Sequence, residues 1–253
     1  MTAQAFEYTF FAEQRPCALV VSHERSGTHF LMNALASCYG YVAQPWINLD
    51  VPEANINYFD PSVISEYLRL LAGRPLANIV KSHHAADFFA GELARLTQRY
   101  VILSVCRHPV SVMVSYWRFL HGLPWFEGPK VADPLTLARS EPWGLMRRYH
   151  LGQYPTLLRR WAAHGEGWLA AAESQRGIAV VRYEDLDAHF EETMLDLAPF
   201  FGRTPQVLAC PPRGVNVVPG GPEDPTGCGP PDIEALERLC RDEVGATMAR
   251  LGY

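Results

Sequence analysis

The chain has 253 residues, 48% of them hydrophobic, which is enough for one sizeable core and predicts a single domain over residues 1–253. With 22 basic against 27 acidic residues the formal charge is -5, and the pI is near 6.0. That balance excludes a chain whose main business is coating nucleic acid or an acidic membrane, and any strong positive potential must be local. No run of about 18 apolar residues could span a membrane, and the opening residues lack the basic leader of a secretory signal, so a cytoplasmic protein is expected. Six cysteines without C-x-x-C spacing predict free, buried or half-buried thiols rather than a disulfide framework or a metal site.

In chain order, Cys17 to Ser22 (C-A-L-V-V-S) is a continuous apolar run behind Pro16, the pattern of a buried parallel strand. Thr28 to Tyr39 then reads as a helix with Phe30, Leu31, Ala34, Leu35 and Cys38 on one face and Gly40 as its stop. Gly40 to about Asp60, with Pro45, Trp46, Pro52 and several Asn, reads as loop. Pro61 to Leu71 predicts an amphipathic helix and Ala77 to Lys81 a short strand; Glu92 to Arg99 reads as helix and Tyr100 to Cys106 as another buried strand. Pro109 to Leu120 is a helix opened by proline, which suits the first turn. Gly122 to Pro142 has no period and predicts a long surface excursion or lid. Leu151 to Ala163 reads as helix, Gly177 to Tyr183 as strand and Phe190 to Phe201 as helix. After a Gly- and Pro-rich stretch from Pro211 to Pro231, Asp232 to Leu251 closes the chain as a helix. Strands alternating with helices predict a three-layer α/β/α fold around a central parallel sheet.

The turn H-E-R-S-G-T-H-F, residues 23 to 30, joins the first strand to the first helix. Such a turn aims backbone N–H groups and the positive end of a helix dipole at one spot, where an anion binds. Ser26 and Thr28 add hydroxyls, and Gly27 lets the backbone come close. The same residues also fit a plainly capped helix start, with Ser26 or Thr28 as the N-cap. An ATP-type loop needs G-x-x-x-x-G-K-[ST], and no Gly-Lys pair occurs. A cysteine-phosphatase loop fits badly because Cys17 lies inside the predicted strand, eight positions before Arg25. Only two of the basic residues are lysines, Lys81 and Lys130, which directs attention to K-S-H-H at 81 to 84, where a compact ammonium is kept.

H-E-R-S-G-T-H-F resembles the 5′-phosphosulfate loop, P-K-S-G-T-T-W, of the sulfotransferases that use 3′-phosphoadenosine-5′-phosphosulfate (PAPS). C-R-H-P-V-S-V-M-V-S resembles that family's 3′-phosphate motif, R-x-P-x-x-x-x-x-S; K-S-H at 81 to 83 resembles its K-T-H, and R-Y-E-D-L at 182 to 186 its Y-E-D-[LM]. The four stand in family order, each at the end of a predicted strand, over roughly Cys17 to Phe201. The resemblance implies a P-loop-like sulfotransferase fold, PAPS as cosubstrate with adenosine 3′,5′-bisphosphate (PAP) as product, a small-molecule acceptor, and no metal.

Carried over residue by residue, the resemblance implies that Arg25, Ser26, Gly27, Thr28 and His29 hold the 5′-phosphosulfate, Arg107 and Ser115 the 3′-phosphate, and Phe30 and Tyr183 the adenine. His83 would be the general base, with Lys81 and Arg25 stabilising charge on the leaving group; His84 is the base if the register slips by one. The spacing is mechanically sound, since Ser115 lies about two turns into the helix begun by Pro109 and can face back toward Arg107. Phe30 equally fits the buried helix face. Arg25 departs from the family lysine and His29 from its threonine. The late R-K-G-x-x-G-D-W clasp is missing, with P-R-G at 212 to 214 as a possible remnant through Arg213. The family's dimer motif is also absent, which leaves the oligomeric state open. An acceptor pocket is expected from the loops 40–60 and 122–149, where Trp46, Tyr58, Trp125, Phe126 and Trp143 suggest an apolar or aromatic wall. Two rival readings are a non-catalytic PAP-binding module and a small-molecule kinase with a degenerate loop.

Overall fold

The computed structural model describes residues 16–49, 59–73, 78–215 and 221–253. Strand β1 (Cys17–Ser22) is buried along almost its whole length because both faces are covered: Ala18 and Val20 point to one side of the sheet, Leu19 and Val21 to the other. It pairs in parallel with β3 (Asn78–Ser82) and β4 (Tyr100–Cys106). Outside these lie β2 (Val42–Asn48) on β3 and β5 (Ile178–Arg182) on β4, also parallel, giving the order β2-β3-β1-β4-β5.

One face is covered by α1 (Thr28–Tyr39), α8 (Phe190–Asp196) and α9 (Ala198–Phe201), which bury Leu31, Leu35, Met194 and Phe201 against Val20, Leu103 and Val181. The other carries α2 (Pro61–Ala72), α3 (Leu93–Leu96) and part of α6 (Leu157–Ser174), with Ile64, Leu68 and Trp168 against Leu19, Val80 and Ile102. A further cluster joins α4 (Pro109–Gly122), α5 (Pro134–Arg139), α6 and α10 (Ile233–Arg250) through Met113, Trp117, Leu137, Leu158 and Leu236. This is the expected layered α/β architecture, and the chain reverses direction around the β1–β4 pair, where ligands of open α/β sheets bind at the carboxyl ends of the strands.

Several expected elements differ. The 40–60 loop contains β2, an edge strand whose register on β3 shifts between Val42 and Ile47; Pro45 and the Asn residues masked its pattern. The 92–99 helix shrinks to α3, a single turn. The helix expected at 151–163 starts six residues later, where the Thr156 hydroxyl caps it by accepting from the Arg159 N–H, and runs on to Ser174. Tyr183 is not a strand residue but opens a short helix, α7 (Tyr183–Ala188), and the 190–201 segment is broken into α8 and α9 by Pro199. The 122–142 excursion holds α5, capped by Asp133 and burying Leu137 completely. Of the cysteines, Cys210 and Cys228 are exposed rather than buried. No described helix is long and apolar enough to cross a membrane.

Candidate active site

The turn after β1 folds without a side-chain cap: Gly27 is the N-cap of α1, at φ 99°, and neither Ser26 nor Thr28 caps it. Thr28 is instead held by a 2.5 Å hydrogen bond with Ser22. A Cβ at residue 27 would lie 2.3 Å from Cδ2 of Tyr183, so glycine is required both for its left-handed backbone and to let the Tyr183 ring close on the loop. Arg25 is the one described non-glycine residue with positive φ, 65°.

What holds that conformation lies beneath it. Glu24 is 4% exposed and accepts hydrogen bonds from Arg160 of α6 at 2.9 Å and Tyr116 of α4 at 3.0 Å. Burial alone would raise its carboxyl, but Arg160, with His23 and His83, holds it well below the usual carboxylate range. Arg160 also reaches His23 at 3.1 Å, and burial lowers that imidazole to about 4. The loop is thus tied from below by a buried ion pair, leaving Arg25 on top.

Above the strand ends lies a cavity of about 320 Å³. Arg25, Gly27, Thr28, His29 and Phe30 line it from the turn and α1; Lys81 and His83 from the end of β3; Arg107 and Ser115 from the end of β4 and α4; and Tyr183 and Arg213 from farther along. Ser26 is the exception, since its side chain is fully buried and faces a small cavity beneath the turn with His164 and Cys106. Only its backbone is left to serve a ligand. Arg213 reaches the cavity while ion-paired with Asp187.

The contacts are specific. Arg25 Nε donates to Ser115 Oγ at 3.1 Å and its guanidinium lies 4.7 Å from the Phe119 ring; Arg107 donates to the Arg25 carbonyl at 3.4 Å and sits 4.3 Å over Tyr183. Burial, and secondarily the neighbouring Arg107, lowers the Arg25 guanidinium. Burial, with Lys81 and Arg25, lowers His29 to about 4, so it is neutral at pH 7; its buried Nδ1 has no partner among the described residues. His83 Nδ1 lies 3.0 Å from the Ser22 carbonyl, which can only accept, so Nδ1 carries a proton. His84 goes elsewhere: it is fully buried, bonded to Ser82 Oγ at 2.7 Å and packed 4.2 Å from Phe88.

The acceptor-side aromatics divide. Trp125 lines the cavity, together with Phe119, Leu123 and Tyr149, whereas Trp46 packs edge-on against His29 at 4.7 Å. Phe126 and Trp143 pair with each other at 4.2 Å on the surface, and Tyr58 lies outside the described residues. Sequence reasoning missed the buried Glu127–Arg148 pair, 2.7 Å, in this wall. Glu184, quoted within R-Y-E-D-L but given no role there, accepts from the His108 N–H and the Tyr253 hydroxyl at 3.0 Å each, bracing the turn that carries Arg107. The available signal for Glu24 was an acidic side chain inside an anion-binding turn, a residue no anion calls for.

A family model described as the sulfotransferase domain matches residues 15–209. No curated protein matches the sequence significantly. Among solved structures, the sulfotransferase domain from the curacin biosynthetic pathway aligns over 95% of this chain and 99% of its own, at 15% identity and a TM-score of 0.50. Mouse sulfotransferase SULT7A1 complexed with PAP aligns over 74% of this chain at 17% identity and a TM-score of 0.49, and retinol dehydratase in complex with androsterone and inactive cofactor PAP over 76% at 18% and 0.47. The aligned chain spans 58% and 61% of the lengths of those two proteins. With the family model covering most of its length, the chain belongs to the sulfotransferase domain family.

Proposed function

We propose that the chain transfers a sulfuryl group from PAPS to a hydroxyl or amine of a small-molecule acceptor and releases PAP. The observation that carries this reading is the convergence of Arg25, Lys81, His83 and Arg107, from the ends of three adjacent strands, on one cavity. Family membership supports it independently.

In this reading Arg25, the Gly27–Thr28 backbone and His29 grip the 5′-phosphosulfate, and Arg107 with Ser115 grips the 3′-phosphate. Tyr183 and Phe30, whose rings lie 6.0 Å apart, border the adenine. His83 Nε2 takes the proton of the acceptor hydroxyl or amine as that atom attacks sulfur. The bond from sulfur to the bridging oxygen breaks, its electron pair stays on the departing 5′-phosphate, and Lys81 and Arg25 neutralise the charge that collects there. As in phosphoryl transfer, alignment and charge stabilisation do most of the work. The acceptor's body rests against Phe119, Leu123, Trp125 and Tyr149, a wall suited to an apolar or aromatic molecule.

The test is incubation with labelled PAPS and a panel of phenols, alcohols, sugars and amines. The expected result is a sulfated product that disappears in His83→Ala. Bound PAP without product from any acceptor would favour a non-catalytic nucleotide module, and tight ATP binding with magnesium a kinase.

A further inference from the structure

Beyond the cavity, Arg25, Arg107 and Ser115 also line a second, more open recess of about 660 Å³. The rest of its wall comes mainly from α4, where Ser111, Ser115 and Arg118 fall on one helical face, and from the segment at Gly221 and Glu223. Arg118 is held rather than waving: its Nε donates to the Glu223 carbonyl at 3.2 Å. A Cβ at residue 221 would sit 1.9 Å from the Arg118 carbonyl oxygen, so Gly221 lets this segment press directly on α4.

Three guanidiniums therefore face one recess against two carboxylates, Glu223 and Glu237, and Glu237 already lies 3.7 Å from Arg241. His108, also in the wall, is lowered chiefly by burial and adds no charge at pH 7. Clustered guanidiniums with adjacent hydroxyls match a phosphomonoester dianion, which accepts several charge-assisted hydrogen bonds at once.

We propose that Arg118, with Ser111, adds further contacts to the cosubstrate's 3′-phosphomonoester where it lies against Arg107 and Ser115 in this recess. The inference rests on the functional reading above and adds two residues of one helix face to the nucleotide site. Arg118 thereby strengthens the preference that Arg107 and Ser115 give the site for a bisphosphorylated over a singly phosphorylated nucleotide.

Calorimetry with PAP and with adenosine 5′-phosphate tests it. In the wild type PAP binds more tightly. Arg118→Ala is expected to weaken PAP at least about tenfold, in line with loss of a charge-assisted contact, and to leave adenosine 5′-phosphate within about twofold. Arg118→Lys falls between, because it keeps the charge but not the fork, and Ser111→Ala loses a smaller factor of about two to five, in keeping with a neutral hydrogen bond. Should Arg118→Ala be poorly folded by circular dichroism, the lysine and Ser111 variants carry the comparison. Unchanged PAP affinity, or an equal loss for both nucleotides, overturns the role of Arg118 while leaving the sulfotransferase reading intact. A wild type that does not prefer PAP sinks that reading and this inference together.

Discussion

At the scale of single residues the site depends on a division between Arg25, half-buried in the cavity wall, and Glu24, its neighbour, buried and tied to Arg160 and Tyr116. Removing one member of a buried ion pair leaves the other charge stranded, so Arg160→Ala should cost about 3–5 kcal/mol, read by chemical denaturation, with Arg160→Lys recovering part of it. Gly27→Ala meets both the Tyr183 ring and a φ of 99°, and nucleotide affinity measured by calorimetry should fall sharply. His83→Ala should keep nucleotide affinity within about twofold and lower turnover by about 10²- to 10⁴-fold. Equal losses in binding and turnover would mean that His83 shapes the pocket rather than moving a proton. Arg25, Lys81, His83 and Arg107 were legible because each is a basic exception at or just past the end of an apolar run. Glu24 and Arg160 were not, because nothing local in a sequence says that residues 136 positions apart meet at 2.9 Å.

At the scale of elements, β1, α1 and β4 fall where their patterns predict, since a continuous apolar run between polar turns has no other stable use in a covered sheet. Edge strand β2 was hidden because among the described residues it pairs on one side only, and because it carries a proline and shifts register. Helix α6 was misplaced because apolar period alone does not say where a helix starts; the Thr156 cap does. That helix also offers a test of packing against propensity. Two of its glycines face different surroundings: a Cβ at 165 would lie 2.7 Å from Leu251, whereas one at 167 would meet only Ala86, at 3.4 Å. Thermal denaturation should find Gly165→Ala destabilised by about 1–3 kcal/mol through overpacking. Gly167→Ala should be unchanged or up to about 1 kcal/mol more stable, as helix propensity alone would have it.

At the scale of the whole molecule, burial of histidines sets the response to acid. Burial lowers His23, His29 and His150 to about 4, and pushes His164 well below its ordinary value. Because their folded values lie below the unfolded value near 6.5, the unfolded chain binds more protons between pH 6.5 and about 4, and stability must fall as pH drops through that window. For the 2%-exposed His23 alone the loss at pH 5 is on the order of 2 kcal/mol. The thermal midpoint should therefore drop by several degrees or more from pH 7 to pH 5, at about 2–4 °C per kcal/mol; a flat profile would show that these rings are solvated. By itself the sequence determined the layered α/β architecture and the strand ends that carry the motifs, since periodicity, turn chemistry and polar breaks are local properties of a chain. Only the tertiary structure decided that His83 faces the cavity while His84 enters the core, that the Ser26 hydroxyl turns away, and that Arg160 and Glu184 brace the two turns. Those outcomes depend on which side chains from distant elements compete for the same space and the same hydrogen bonds.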